Sequence, residues 1–100
     1  MTGLFLLGNA SCLLSMYYVY ILYSRKYNKS YVGFTSNLDN RLLSHNELGT
    51  KGFTLKYRPW ELVTAETYLT KKEAMTREKF LKSGQGRELV KTKIQQWLFE

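Results

Sequence analysis

The chain has 100 residues, 44% of them hydrophobic and 15% aromatic, enough for one packed core and too few for two. Fifteen Lys and Arg against eight Asp and Glu leave a net charge of +7, which points to a polyanionic partner, nucleic acid foremost, over a merely soluble basic surface. One cysteine and one histidine exclude an internal disulfide framework and a Cys/His zinc site, and favour an intracellular, cytoplasmic chain.

Residues 1–15 (MTGLFLLGNASCLLS) carry none of the charged side chains. The apolar run LFLLG is too short for a secretory signal and lacks the basic flank. Asn9, Ser11 and Ser15 interrupt the stretch before it reaches the roughly 20 apolar residues of a membrane span. We read a disordered extension, or a start misread ahead of Met16, followed by one domain over 16–100. Tyr17 to Ser24 (YYVYILYS) is aromatic and β-branched, a strand buried on both faces. Arg25 to Lys29 is a polar turn, and Ser30 to Thr35 (SYVGFT) closes a hairpin. Ser36 with Asp39 has the spacing of a capping box and opens a helix of about ten residues, Asn37 to Asn46. Gly49 to Pro59 reads as a loop, and Trp60 to Tyr68 (WELVTAETY) as a third strand. Thr70 and Glu73 form a capping box that opens a helix running to about Lys82. Gly84 suits a left-handed position after that helix. A last helix starts at Arg87, with Leu89, Val90, Ile94, Trp97 and Leu98 on one stripe. The order is ββαβαα, a mixed α+β fold with a small three-stranded antiparallel sheet flanked by helices.

Several residues break these local patterns. On the helix from Thr70, Ala74, Met75 and Leu81 share a face, and Glu78 falls among them. A carboxylate there is costly unless it is paired, hydrogen-bonded or bound to a cation. It is either a metal ligand or an edge residue reaching solvent, Arg77 or Lys82. On the preceding helix His45 shares the face of Leu38 and Leu42, with Arg41 one turn earlier. Gly33 inside a strand signals a bulge or a close backbone approach.

Taken in order, these residues resemble the GIY-YIG endonuclease family. Its first motif half appears as Tyr18-Val19-Tyr20, with Tyr18 in the usual Gly position, and its second as Tyr31-Val32-Gly33, eleven residues after Tyr20. The family's helix Arg falls on Arg41, eight residues past Gly33, within Arg-Leu-Leu-Ser-His, and its metal-binding Glu on Glu78. The chain is most similar to the small single-domain bacterial members, which resemble the nuclease domain of the bacterial excinuclease. Phe34 stands where that domain has Lys, and its late Asn has no counterpart here.

The resemblance implies a metal-dependent DNA endonuclease of DNA repair or processing, with Tyr20, Tyr31, Arg41, His45 and Glu78 around one phosphate. One Mg²⁺ or Mn²⁺ on Glu78 is the expected cofactor, a hard ion suited to oxygen ligands. Tyr20 or Tyr31 activates the water, through a hydrogen bond between them, and His45 binds phosphate or assists proton transfer. Arg41 suits a bidentate phosphate contact. Lys51, Lys56, Arg58, Lys71, Lys72 and Lys82 are the expected DNA-binding residues, tracking the backbone without reading sequence. Two other classes compete: a non-catalytic nucleic-acid-binding module on the same fold, and an interaction protein docking through Trp97, Leu98 and Phe99.

Overall fold

The computed structural model of the protein describes residues 16–49 and 52–100; the expected N-terminal extension and Lys51 lie outside them. The hairpin forms as its sequence requires. β1 (Tyr17–Ser24) pairs antiparallel with β2 (Lys29–Thr35) on one side and with β3 (Glu61–Tyr68) on the other, so the sheet order is β2-β1-β3. The central strand is therefore the most apolar one, because both its edges and both its faces are covered. Val19 and Ile21 face Ala74 and Leu81 of α3 (Lys71–Leu81) and Val90 and Ile94 of α4 (Gly84–Leu98). Tyr20 and Leu22 face the opposite way, into a second core with Trp60, Tyr31, Leu38, Leu42 and Tyr57. That face is roofed by α1 (Leu38–Leu43), a π-helical turn (Ser44–Leu48) and the short α2 (Phe53–Lys56). The fold is the mixed α+β, ββαβαα arrangement with the short α2 added before β3, and the sheet is the middle of three layers.

Local chemistry moves several boundaries. The cap of α1 is Asn37 rather than Ser36: its extended backbone lets the side chain accept from Asn40 N at 3.1 Å, which is the N-cap geometry. The expected ten-residue helix is six α-helical residues followed by the π turn. Within the expected loop, Gly52 adopts φ 95°, a conformation that favours glycine, and α2 starts directly after it. Thr70 caps α3 as expected, accepting from Glu73 N and donating to Glu73 Oε1 at 2.9 Å. Gly84 is not left-handed. Ser83 caps α4 by accepting from Gly86 N at 3.3 Å, so α4 begins three residues before Arg87. A fork from Arg77 to both carboxylate oxygens of Glu66 (2.9 and 3.1 Å) ties α3 to β3.

Candidate active site

Strand register builds the centre of the site. Tyr20 sits directly across from Gly33, and Leu22 across from Tyr31, so Tyr20, Tyr31 and Gly33 share one face of the sheet. A Cβ on Gly33 would stand 2.5 Å from the Tyr20 hydroxyl and 2.8 Å from Cζ. The glycine is the space in which the phenol lies, which is the close approach its place in a strand signalled. Across that space the Tyr20 hydroxyl meets His45 Nε2 at 2.8 Å. The Tyr31 ring stands edge-on to the imidazole, with centroids 4.9 Å apart.

Burial and charge set the protonation of this pair. Tyr20 is 1% exposed and His45 5%. Burial, then the neighbouring Tyr31 hydroxyl, hold the Tyr20 phenol well above its ordinary 10, with the Glu78 charge adding to the rise and the Arg41 charge opposing it. Burial also holds His45 below its ordinary 6.5, and the charges of Arg41 and Arg58 act in the same direction. A neutral imidazole beside a protonated phenol is the result, and the tautomer of the ring sets which of the two donates across the 2.8 Å bond.

The two charged residues expected at the site take different positions. Arg41 on α1 is exposed, and its charge bears on both Tyr20 and His45. Glu78 on α3 bears on Tyr20 and pairs with Lys82, Oε2 to Nζ at 3.2 Å. Its side chain is 22% exposed, at the margin of the buried Ala74–Leu81 line, because Met75 on its other flank is exposed rather than buried. Among the described residues no three His, Cys, Asp or Glu side chains converge as a ready-made metal cage.

The structure corrects three expected roles. The Tyr20 hydroxyl bonds to His45, and no bond to the Tyr31 hydroxyl is formed among the described residues. His45 points Nε2 inward at Tyr20, so that nitrogen is not free for phosphate. Arg58 is not a free phosphate contact either: its guanidinium donates to the carbonyls of His45, Ser44 and Gly49.

The remaining basic residues do not share one surface. Lys82 lies 5.9 Å from the Tyr31 ring centroid and borders a cleft of about 460 Å³. Tyr31 and Val32 on the free edge of β2, Phe53 on α2, and Arg87 and Lys91 on α4 complete that cleft. Lys56 sits over the Tyr57 ring at 5.4 Å. Lys71 and Lys72 line a separate depression on α3 with Lys79. Phe53, 48% exposed at the cleft, is hidden in an apparent loop of the sequence; its one signal there is an aromatic flanked by Gly52 and Lys56.

The model of the GIY-YIG catalytic domain matches residues 16–92, from β1 into α4. The chain belongs to the GIY-YIG family. Proteins similar to it in sequence include UPF0213 protein YazA of Bacillus subtilis, 40% identical over 57 residues, 57% of this chain and 58% of that one. A UPF0213 protein of Staphylococcus haemolyticus is 37% identical over 70% of this chain and 84% of its own length. Another, of Clostridium perfringens, is 39% identical over 67% of this chain and 71% of its own. The chain thus spans little more than half of the Bacillus subtilis protein. As a GIY-YIG domain the chain has a nuclease-type fold, and nucleic acid is the substrate class that such a domain implies. Among the described residues no helix is long and apolar enough to cross a membrane.

Proposed function

We propose that this chain is a divalent-metal-dependent DNA endonuclease of DNA repair or processing, hydrolysing phosphodiester bonds at the site formed by Tyr20, Tyr31, Arg41, His45 and Glu78. The observation that carries the reading is the buried Tyr20–His45 hydrogen bond beside an exposed arginine and a carboxylate. It is a proton-accepting pair with a phosphate-binding cation next to it.

Water attacks phosphorus and the bond to the leaving 3′-oxygen breaks. Tyr20 takes the water's proton as it passes its own to Nε2 of His45. A neutral imidazole is the right acceptor near pH 7, whereas the buried phenol alone holds its proton too tightly to act as a base. Arg41 donates two hydrogen bonds to the phosphate and keeps its charge at any relevant pH. Tyr31 lines the cleft that receives the strand, with Lys82, Arg87 and Lys91 at its rim. Glu78 fits the family's ion: a single hard carboxylate, with water and phosphate oxygens, satisfies Mg²⁺ or Mn²⁺. When bound there, the ion supplies Lewis-acid stabilisation of the phosphate and the leaving oxygen.

The test is cleavage of supercoiled, branched and flapped DNA with Mg²⁺, Mn²⁺ or EDTA. Cleavage that needs the ion supports the reading. DNA binding without cleavage under any of the three conditions leaves the non-catalytic module as the better account.

A further inference from the structure

His45 is held by its backbone as well as by its ring. The π-helical turn that carries it closes with Gly49 N donating to Ser44 O at 2.8 Å, at the negative end of the helix dipole. Arg58, thirteen residues further along, donates to three carbonyls of this turn and its cap. Its Nε donates to His45 O at 2.6 Å, and its Nη2 to Ser44 O at 3.1 Å and Gly49 O at 2.6 Å. Gly49 keeps that space open, since a Cβ there would stand 2.7 Å from Ser44 O and 3.5 Å from Arg58 Nη2. Asn46 ties the same turn to the same segment, accepting from Trp60 N at 2.6 Å and donating to Trp60 O at 3.0 Å.

A π turn carries one residue more than the α-helical ladder accommodates, and such turns concentrate at functional sites. Relaxing it to α-helix would rotate the following side chains about the axis by roughly 100°, one residue's share of a 3.6-residue turn. His45 sits inside this turn. A shift of the turn's backbone at His45 carries the imidazole away from a hydroxyl now at 2.8 Å.

We propose that Arg58 is a positioning residue: by holding the carbonyls of Ser44, His45 and Gly49, it fixes the turn in the register at which His45 Nε2 meets the Tyr20 hydroxyl. The catalytic consequence rests on the proton-transfer reading above, but the geometry stands in the free protein. The titratable and charged groups facing His45 are Tyr20 from β1, Tyr31 from β2, Arg41 from α1 and Arg58 itself. Arg58 is the one that binds the turn's backbone. Its charge also helps to hold the imidazole neutral.

His45 is the only histidine in the chain, so every imidazole ¹⁵N signal of the protein is its own. The wild type is expected to show the Nδ1–H tautomer and a titration midpoint below 6.5. Arg58→Lys keeps the charge and loses the fork; Arg58→Gln keeps an amide donor and loses the charge. Tyr20→Phe, which removes the hydroxyl, supplies the reference for a lost bond. In both Arg58 variants the tautomer signature should move toward that of Tyr20→Phe, and in Arg58→Gln the midpoint should rise toward 6.5. Single-turnover DNA cleavage should fall about tenfold or more in both while KM stays within twofold, because no phosphate contact is lost.

Wild-type tautomer signals retained in both variants overturn the proposal. So does an Nε2–H tautomer in the wild type itself, a measurement that needs no variant to fold. A rise in KM with a salt slope flatter by about one unit and an unchanged tautomer would make Arg58 a phosphate contact instead. A wild type that cleaves nothing refutes the nuclease reading, while the ¹⁵N signals still decide what Arg58 does.

Discussion

Gly33→Ala tests the packing beneath the site with a single methyl group. The added Cβ would stand 2.5 Å from the Tyr20 hydroxyl oxygen, 2.8 Å from Cζ and 3.1 Å from Cε2 of Tyr31, where ordinary contact begins at 3.4 Å. The phenol must therefore retreat by nearly 1 Å. It has little room, because Tyr20 is 1% exposed and packs with Leu22 and Trp60. Overpacking of this kind costs about 1–3 kcal/mol, and replacing a strand glycine recovers about 0.5–1 kcal/mol of that. These figures leave a net loss of about 0–2.5 kcal/mol, and about 1–2 kcal/mol, the middle of that range, lowers Tm by roughly 4–16 °C in a domain this small. The retreat also stretches the 2.8 Å bond to His45, and a misplacement of about 1 Å is worth about 10²-fold in rate. Thermal melts and single-turnover cleavage measure both effects. In the double variant with Tyr20→Phe the closest clash is gone, so the two stability losses should fall short of additivity by about 1 kcal/mol. A Gly33→Ala protein that melts within 1 °C of wild type and cleaves at the wild-type rate would show that the phenol does not depend on this space.

Two further predictions concern charge. Arg41→Ala should lower the single-turnover rate by about 10²-fold with DNA affinity little changed, as expected of a group that serves the transition state; weaker binding with an unchanged rate would contradict this. Acidification should destabilise the fold in two stages, read as Tm against pH. His45, held below 6.5 in the fold, contributes stability that is complete above pH 6.5 and lost as pH falls from there toward its lowered value. Glu66, held below 4.5 first of all by its hydrogen bonds from Arg77, contributes stability present above pH 4.5 and lost as pH falls through its depressed value. His45→Gln should remove the first stage and leave the second.

What is legible in the sequence is what local chemistry decides. The aromatic and β-branched run of β1 reads as a strand buried on both faces because its neighbours on each side are apolar in sequence as well as in space. The interval between Tyr20 and Tyr31 places both on one face because β1 and β2 form a simple hairpin with side chains alternating at period two. Gly33 announces a close approach, and the phenol fills it. The role of Arg58 is illegible because a sequence shows a charge and not the carbonyls that consume it; those come from a turn nine to fourteen residues away. The π turn is hidden for the same reason, since its apolar spacing is that of an ordinary helix and its register is held from outside. Ser83 and Gly84 favour a helix end as readily as a helix start, and the crossing of α3 and α4 decides. Buried Gly86 lets the two helices meet so closely that a Cβ there would stand 2.5 Å from Leu81 Cα. Glu78 looks central to a buried face only if Met75 is counted as core.

Single-turnover nicking of supercoiled DNA with Mn²⁺, wild type and Glu78→Gln side by side, tests whether Glu78 holds the ion that this site needs to cut DNA. Glutamine keeps the size and hydrogen-bonding reach of the side chain and removes only the ligand charge. Wild type should convert the plasmid to nicked circles, and Glu78→Gln should be slower by about 10²-fold or more while remaining folded. Equal rates in the two proteins would contradict the account.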